Sequence, residues 1–150
     1  MTWYEGTHTA KLTIPHPIER VKAHFSDPAT IVAHTTDVES HEIDGGLVHF
    51  VLKLQEHAGI TKFKADYRCR YALDGNTLRW TAAGGNLKQF GEARFESAGP
   101  SSTSVDYTET VAVDMEVPML MGPLLGPVIA PMLGHEIKEY VSRMCKSLGA

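Results

Sequence analysis

The sequence predicts one α+β domain, an antiparallel sheet of about seven strands curved around a single long C-terminal helix. Three observations predict it. Apolar and polar residues alternate with period two in run after run from Glu5 to Asp114, and short Gly- and Asp-rich turns separate the later runs. Helical spacing is confined to two short stretches near the N-terminus and one long stretch at the C-terminus. The long stretch has one apolar face, which must cover the apolar face of a sheet.

The first strand is expected at Glu5–Ile14, where Ala10, Leu12 and Ile14 alternate with Lys11 and Thr13. Pro15 and Pro17 stop it. Ile18, Val21 and Phe25 then recur at helical spacing, and Pro17 suits a first helical position. Asp27 is a natural N-cap for a second short helix, with Pro28 in its first turn and an end near His34. Six strands follow, at Val38–Ile43, Leu47–Gln55, Ile60–Leu73, Thr77–Ala83, Leu87–Ser97 and Ser104–Asp114.

Val48, Phe50, Leu52 and Leu54 share one face of the Leu47–Gln55 run. The Ile60–Leu73 run is the clearest strand. Phe63, Ala65, Tyr67, Cys69, Tyr71 and Leu73 lie on one side of it, and Lys62, Lys64, Asp66, Arg68 and Arg70 on the other. Phe90 is out of phase with Ala93 and Phe95, which predicts a bulge near Gly91. In the last helix Leu133, Ile137, Tyr140, Val141, Met144 and Leu148 form the apolar face, and Glu136, Lys138, Glu139, Ser142 and Arg143 the polar one. This helix can begin at Gly122, where Pro123 fits a first turn, but Pro127 and Pro131 would then kink or delay it. Sequential strands joined by tight turns pair as a meander. If the sheet curves around the helix, in a helix-grip arrangement, a hollow can remain between them.

The 150 residues fit a single ligand-binding domain, 1–150. A net charge of −4 provides none of the basic excess that nucleic-acid binding needs. Cys69 and Cys145 form no CxxC pair and the N-terminus does not read as a signal peptide, so a cytoplasmic protein is expected. Val117–Gly134 carries no charged residue, but Pro118, Pro123, Pro127 and Pro131 argue against a membrane span.

The stretch Ile14-Pro15-His16-Pro17-Ile18-Glu19-Arg20-Val21, continued to Asp27-Pro28, resembles the opening of the START-related polyketide cyclase/dehydrase and lipid-transport superfamily (SRPBCC, the birch-pollen-allergen fold). From Thr61 onward the chain is similar, more narrowly, to the G-type subunit of carbon monoxide dehydrogenase and its relatives. Gly84-Gly85, Gly91-Glu92-Ala93, the Thr103–Tyr107 strand opening and the Gly- and Pro-broken lead into the last helix carry that likeness. The resemblance spans nearly the whole chain and implies the helix-grip fold. It implies binding of a hydrophobic small molecule such as a lipid, a quinone or a polyketide-like compound. It equally accommodates a cyclase/dehydratase-type enzyme, or an accessory protein that docks at a membrane beside a carbon monoxide dehydrogenase-like redox enzyme. The superfamily has no universal catalytic motif, so the fold leaves activity open.

The cavity is expected to be lined by Phe50, Leu52, Phe63, Tyr67, Tyr71, Trp80 and Tyr107 from the sheet, facing Ile137, Tyr140, Val141 and Met144. A volume of roughly 300–1,000 Å³ is the usual small-molecule range. Glu109 shares a strand face with Val105, Tyr107, Val111 and Val113, where a carboxylate is costly unless it is paired or reaches solvent. It is the candidate ligand anchor or catalytic acid/base, the latter with Tyr67 or Tyr71. Internal pairing, or a local bulge that turns it outward, is the plainer alternative. The eight histidines show no metal-ligand spacing, and no phosphate loop or nucleophile elbow is present, so neither metal nor cofactor is expected. Lys62, Lys64, Arg68, Arg70 and Arg79 read as a solvated outer face. Val117–Gly134, with Met119, Leu120, Met121, Leu124 and Leu125, is expected to be an exposed apolar gate that touches a membrane or partner.

Overall fold

The computed structural model describes residues 2–57, 61–118 and 120–149, with the side chains of His57 and Thr61 left aside. In chain order the elements are β1 (Thr2–Ile14), α1 (Ile18–Ser26), α2 (Pro28–Ala33), β2 (Val38–Asp44), β3 (Leu47–Leu52), β4 (Gln55–His57), β5 (Thr61–Phe63), β6 (Asp66–Asp74), β7 (Thr77–Gly85), β8 (Leu87–Ser97), β9 (Thr103–Met115) and α3 (Gly122–Ser147). Seven strands form one antiparallel sheet in the order β1-β9-β8-β7-β6-β3-β2. The first strand pairs with the last, from Thr2↔Met115 to Ile14↔Thr103. The helix α3 packs on the inner face, and the fold is helix-grip α+β as the alternation predicts.

Two predicted strands are each broken in two. Leu47–Gln55 becomes β3 and β4, and the Ile60–Leu73 run becomes β5 and β6, with β4 and β5 paired as a separate ribbon. Ile60 itself lies outside the described residues. The ladder of β3 with β6 ends at Val51↔Asp66. Beyond it Leu54 stands 58% exposed, so alternation carried past that point misplaces it. Leu73, at the other end of β6, is 43% exposed rather than inward-facing.

The predicted bulge at Gly91 is absent. β8 and β9 keep an unbroken register from Leu87↔Val113 to Ser97↔Thr103, and Phe90 simply faces outward beside Thr110. Register shifts lie instead between β6 and β7, at Tyr67 and Cys69, and between β2 and β3, at Val38 and Ser40. Gly91 has a different reason to be there. A Cβ on it would sit 2.2 Å from Thr108 O and 3.0 Å from Trp80 Cζ2, so its bare backbone makes the room in which the indole lies.

Asp27 caps α2 as expected, accepting from Thr30 N at 3.3 Å and from Thr30 Oγ1 at 2.7 Å. The prolines neither delay nor divide α3. Pro123, Pro127 and Pro131 stand four residues apart on its exposed side. Pro127 and Pro131 cannot donate to the carbonyls of Pro123 and Pro127 four residues earlier, so the missing bonds fall on the helix's exposed side. Leu125, Ile129, Leu133, Ile137, Val141 and Met144 are buried. A third row, Gly126, Ala130 and Gly134, lies close on β1: a Cβ on Gly6 would fall 2.4 Å from Ala130 O. At its far end α3 is held by α1 and the segment before it. His24 Nε2 lies 3.1 Å from Met144 O and His16 Nε2 bonds Leu148 O.

Candidate functional site

The odd-numbered residues of β9 face α3, and Glu109 is among them, only 4% exposed. Tyr107, one inward position earlier, donates its hydroxyl to Glu109 Oε1. Loss of hydration pushes the Glu109 carboxyl up to about 7, while the Tyr107 bond pulls the other way. Glu109 thus pairs internally without a bulge, the plainer of the two readings, and it also faces open space. On β8, Gln89 Nε2 donates to Tyr71 Oη at 3.1 Å, and Cys69 Sγ–H donates to Gln89 O at 3.4 Å. Burial pushes the Cys69 thiol up to about 12, so it is an inert core group. Burial likewise keeps Tyr67, Tyr71, Tyr107 and Tyr140 as neutral phenols. Trp80 Nε1 is buried with no hydrogen-bond partner among the described residues.

Between sheet and helix lies a cavity of about 140 Å³. Tyr67, Gln89, Glu109 and Tyr140 form its floor. Its walls are apolar, with Leu52, Phe63, Leu87, Val111, Leu133 and Ile137. The lining residues that reach solvent mark its mouth: Thr36 and Glu136 are exposed, and Thr35, Gln55 and Arg143 half-buried. Past the floor a second void of about 10 Å³ touches Tyr71, Trp80, Tyr107 and Glu109. Glu109, Gln89 and Tyr140 border both spaces.

The structure therefore brings together Leu52, Phe63, Tyr67, Glu109, Ile137 and Tyr140 around the cavity. It sets Tyr71, Trp80 and Tyr107 around the smaller void. Phe50, Val141 and Met144 line neither and belong to the solid core, with Phe50 stacked on Tyr67 at 4.9 Å between ring centroids. Inward-facing parity alone cannot separate core from cavity wall. The volume falls below the 300–1,000 Å³ expected, with Phe63 lining it from β5 and Leu133, Ile137 and Tyr140 from α3. A bulge at Gly91 would turn Gln89 away from the site, and the unbroken register brings it in. Arg143 and Glu136 read in the sequence as the wet face of α3, yet each lies three or four residues from Tyr140 and borders the opening. Of Val117–Gly134, Leu133 alone among the described residues lines the cavity.

On the outer sheet face Lys64 pairs with Glu39 and Arg79 with Glu92 at 3.4 Å, and on the β4–β5 ribbon Lys62 pairs with Glu56 at 3.7 Å, all at solvated positions. No helix among the described residues is long and apolar enough to cross a membrane.

No family model matches the chain, and no curated protein matches it. Solved structures do. The Zhui aromatase/cyclase from Streptomyces sp. R1128 is 14% identical, with a TM-score of 0.63 over 97% of this chain and 92% of that one. A START superfamily protein from Mycobacterium smegmatis is 12% identical, with a TM-score of 0.61 over 95% and 98%. A point mutant of norcoclaurine synthase from Thalictrum flavum, in complex with a transition-state analogue, is 13% identical, with a TM-score of 0.61 over 99% and 96%. At these identities the likeness shows a shared fold.

Proposed function

We propose that the protein binds a hydrophobic small molecule in the cavity between the sheet and α3, with a polar group of that molecule on Glu109. The observation that carries this is a space with apolar walls, open at one end and floored by a buried carboxylate. Apolar ligand surface removed from water contributes about 25 cal/mol per Å² before ordering costs. The structural neighbours support the reading, since an aromatase/cyclase and a START protein share the fold. Solvent extraction of the purified protein followed by mass spectrometry tests it. A discrete compound should come off the native chain and be absent from an Ile137→Trp variant whose indole fills the space. Identical extracts from both would refute it.

A second reading is an enzyme of the cyclase or dehydratase type. The Tyr107–Glu109 pair favours it, because a carboxyl that titrates near neutrality can both take and return a proton. Once a substrate is known, full turnover by Glu109→Gln would eliminate Glu109 as the catalytic group. The accessory role beside a redox enzyme has its support elsewhere, in the exposed Leu120 just before α3 and Leu124 and Val128 on it.

A further inference from the structure

If the cavity is a binding site, as proposed above, its size and its two ends restrict what enters. A dry apolar cavity of about 150 Å³ is known to take benzene. The 140 Å³ here accommodates one six-membered ring with small substituents, and neither a polycycle nor a long acyl chain.

The floor asks for a donor. Tyr107 occupies Glu109 Oε1, and Oε2 has no protein partner among the described residues. A wholly apolar occupant would leave that oxygen unsatisfied, at a cost of the kind that buried polar groups avoid. Above about pH 7, where Glu109 is ionised, a ligand carboxylate would meet a carboxylate. A ligand hydroxyl can donate to it, and the Tyr67 and Tyr140 hydroxyls at the same floor make no hydrogen bond among the described residues.

The mouth asks for an anion. Arg143 spends Nε on His34 O at 3.0 Å, and its terminal nitrogens have no carboxylate partner among the described residues. A half-buried planar fork of this kind suits a carboxylate held by two parallel bonds. Glu136 is the other charged group at the opening, but it is exposed, so solvent and salt screen it more. Tyr140 and Arg143 are three residues apart on α3, so both reach the cavity from one face of the helix, and Glu109 lines the same cavity from the sheet.

We propose that the cavity takes a single-ring hydroxylated acid, whose phenol or enol hydroxyl donates to Glu109 and whose carboxylate meets Arg143. The test is calorimetry at about pH 8, where Glu109 is ionised and a phenol is not, on the whole chain with three probes: 4-hydroxyphenylacetate, its methyl ether and its amide. The hydroxy acid should bind the wild-type protein about tenfold more tightly than either analogue, the difference expected for one charge-assisted hydrogen bond. Glu109→Gln should bring the hydroxy acid down to the methyl ether and leave the ether unchanged. Arg143→Gln should bring it down to the amide. The three-probe comparison needs no variant to fold, and equal affinity for all three overturns the proposal. If none binds while indole does, and Ile137→Trp abolishes the indole binding, the ligand class is wrong and the cavity reading stands. If indole also fails to bind, both fall.

Discussion

Tyr107 and Glu109 stand two residues apart on β9, point to the same side of the sheet, and share a hydrogen bond in which the phenol donates and the carboxylate accepts. Strand periodicity places both on the inner face, and the helix that covers them removes their water. Without the tyrosine the carboxylate would have to ionise unaided in an apolar site. Replacing Tyr107 by Phe should therefore destabilise the fold by about 1–3 kcal/mol, the cost of orphaning a buried polar group. It should also raise the Glu109 titration further, because the bond that lowers it is gone. Urea unfolding combined with carboxyl titration by NMR measures both. An unchanged titration would show that the pair is not coupled.

Glu109 also sets a pH dependence. Its folded value, about 7, lies above its ordinary value of 4.5. Between these limits the folded protein holds a proton that the unfolded chain has released. Its contribution is thus complete below pH 4.5 and is lost as pH rises through about 7. The shift corresponds to about 3 kcal/mol at most. The stability difference between wild type and Glu109→Gln should move against the wild type across that window. Parallel stability–pH curves would contradict it.

His24 works in the opposite direction. Burial lowers its titration, against the pull of its bond to Met144 O. The unfolded chain then binds the proton more readily, so this contribution is present above pH 6.5 and is lost as pH falls. His24→Asn should flatten the acid side of the stability curve and leave the Glu109 window in place. A His24→Asn curve that still falls on the acid side as the wild type does would assign that fall to other groups.

Most of the architecture is legible because each element has a local cause. Asp27 is a cap, the turns contain glycines in left-handed geometry at Gly45 and Gly75, and Tyr67, Cys69 and Tyr71 alternate cleanly. What sequence cannot show is where pairing ends. Leu54 and Leu73 keep the right parity after their strands have left the sheet's covered part. Gly91 reads as a break, but its cause is tertiary: Trp80 from the neighbouring strand needs the space. The same limit applies at the site. Glu109 stands out in the sequence as a carboxylate in an apolar row, whereas Arg143 becomes visible only when the α2–β2 connection supplies His34 and the rim.

The mouth of the cavity predicts where the molecule opens. Thr35, Thr36 and Gln55 meet Glu136 and Arg143 there, and their backbones belong to a connection and a short ribbon rather than to the main sheet. Such segments open at lower free energy than paired strands. The apolar segment before and at the start of α3, the gate expected from its composition, is placed differently. Leu125 and Ile129 are buried, Gly126 lies against Tyr4, and Leu120, Leu124 and Val128 face outward. Met119 lies outside the described residues. Ligand and surface contact should therefore register at different amides. Hydrogen exchange at Thr35, Thr36, Gln55 and Glu56 should slow when a cavity ligand is added. Exchange at Leu124, Leu125 and Val128 should respond to lipid vesicles and not to ligand. Slowing at Leu124–Val128 by ligand alone would restore that segment as the gate, and protection there equal to that of β6 under every condition would make it a structural plug.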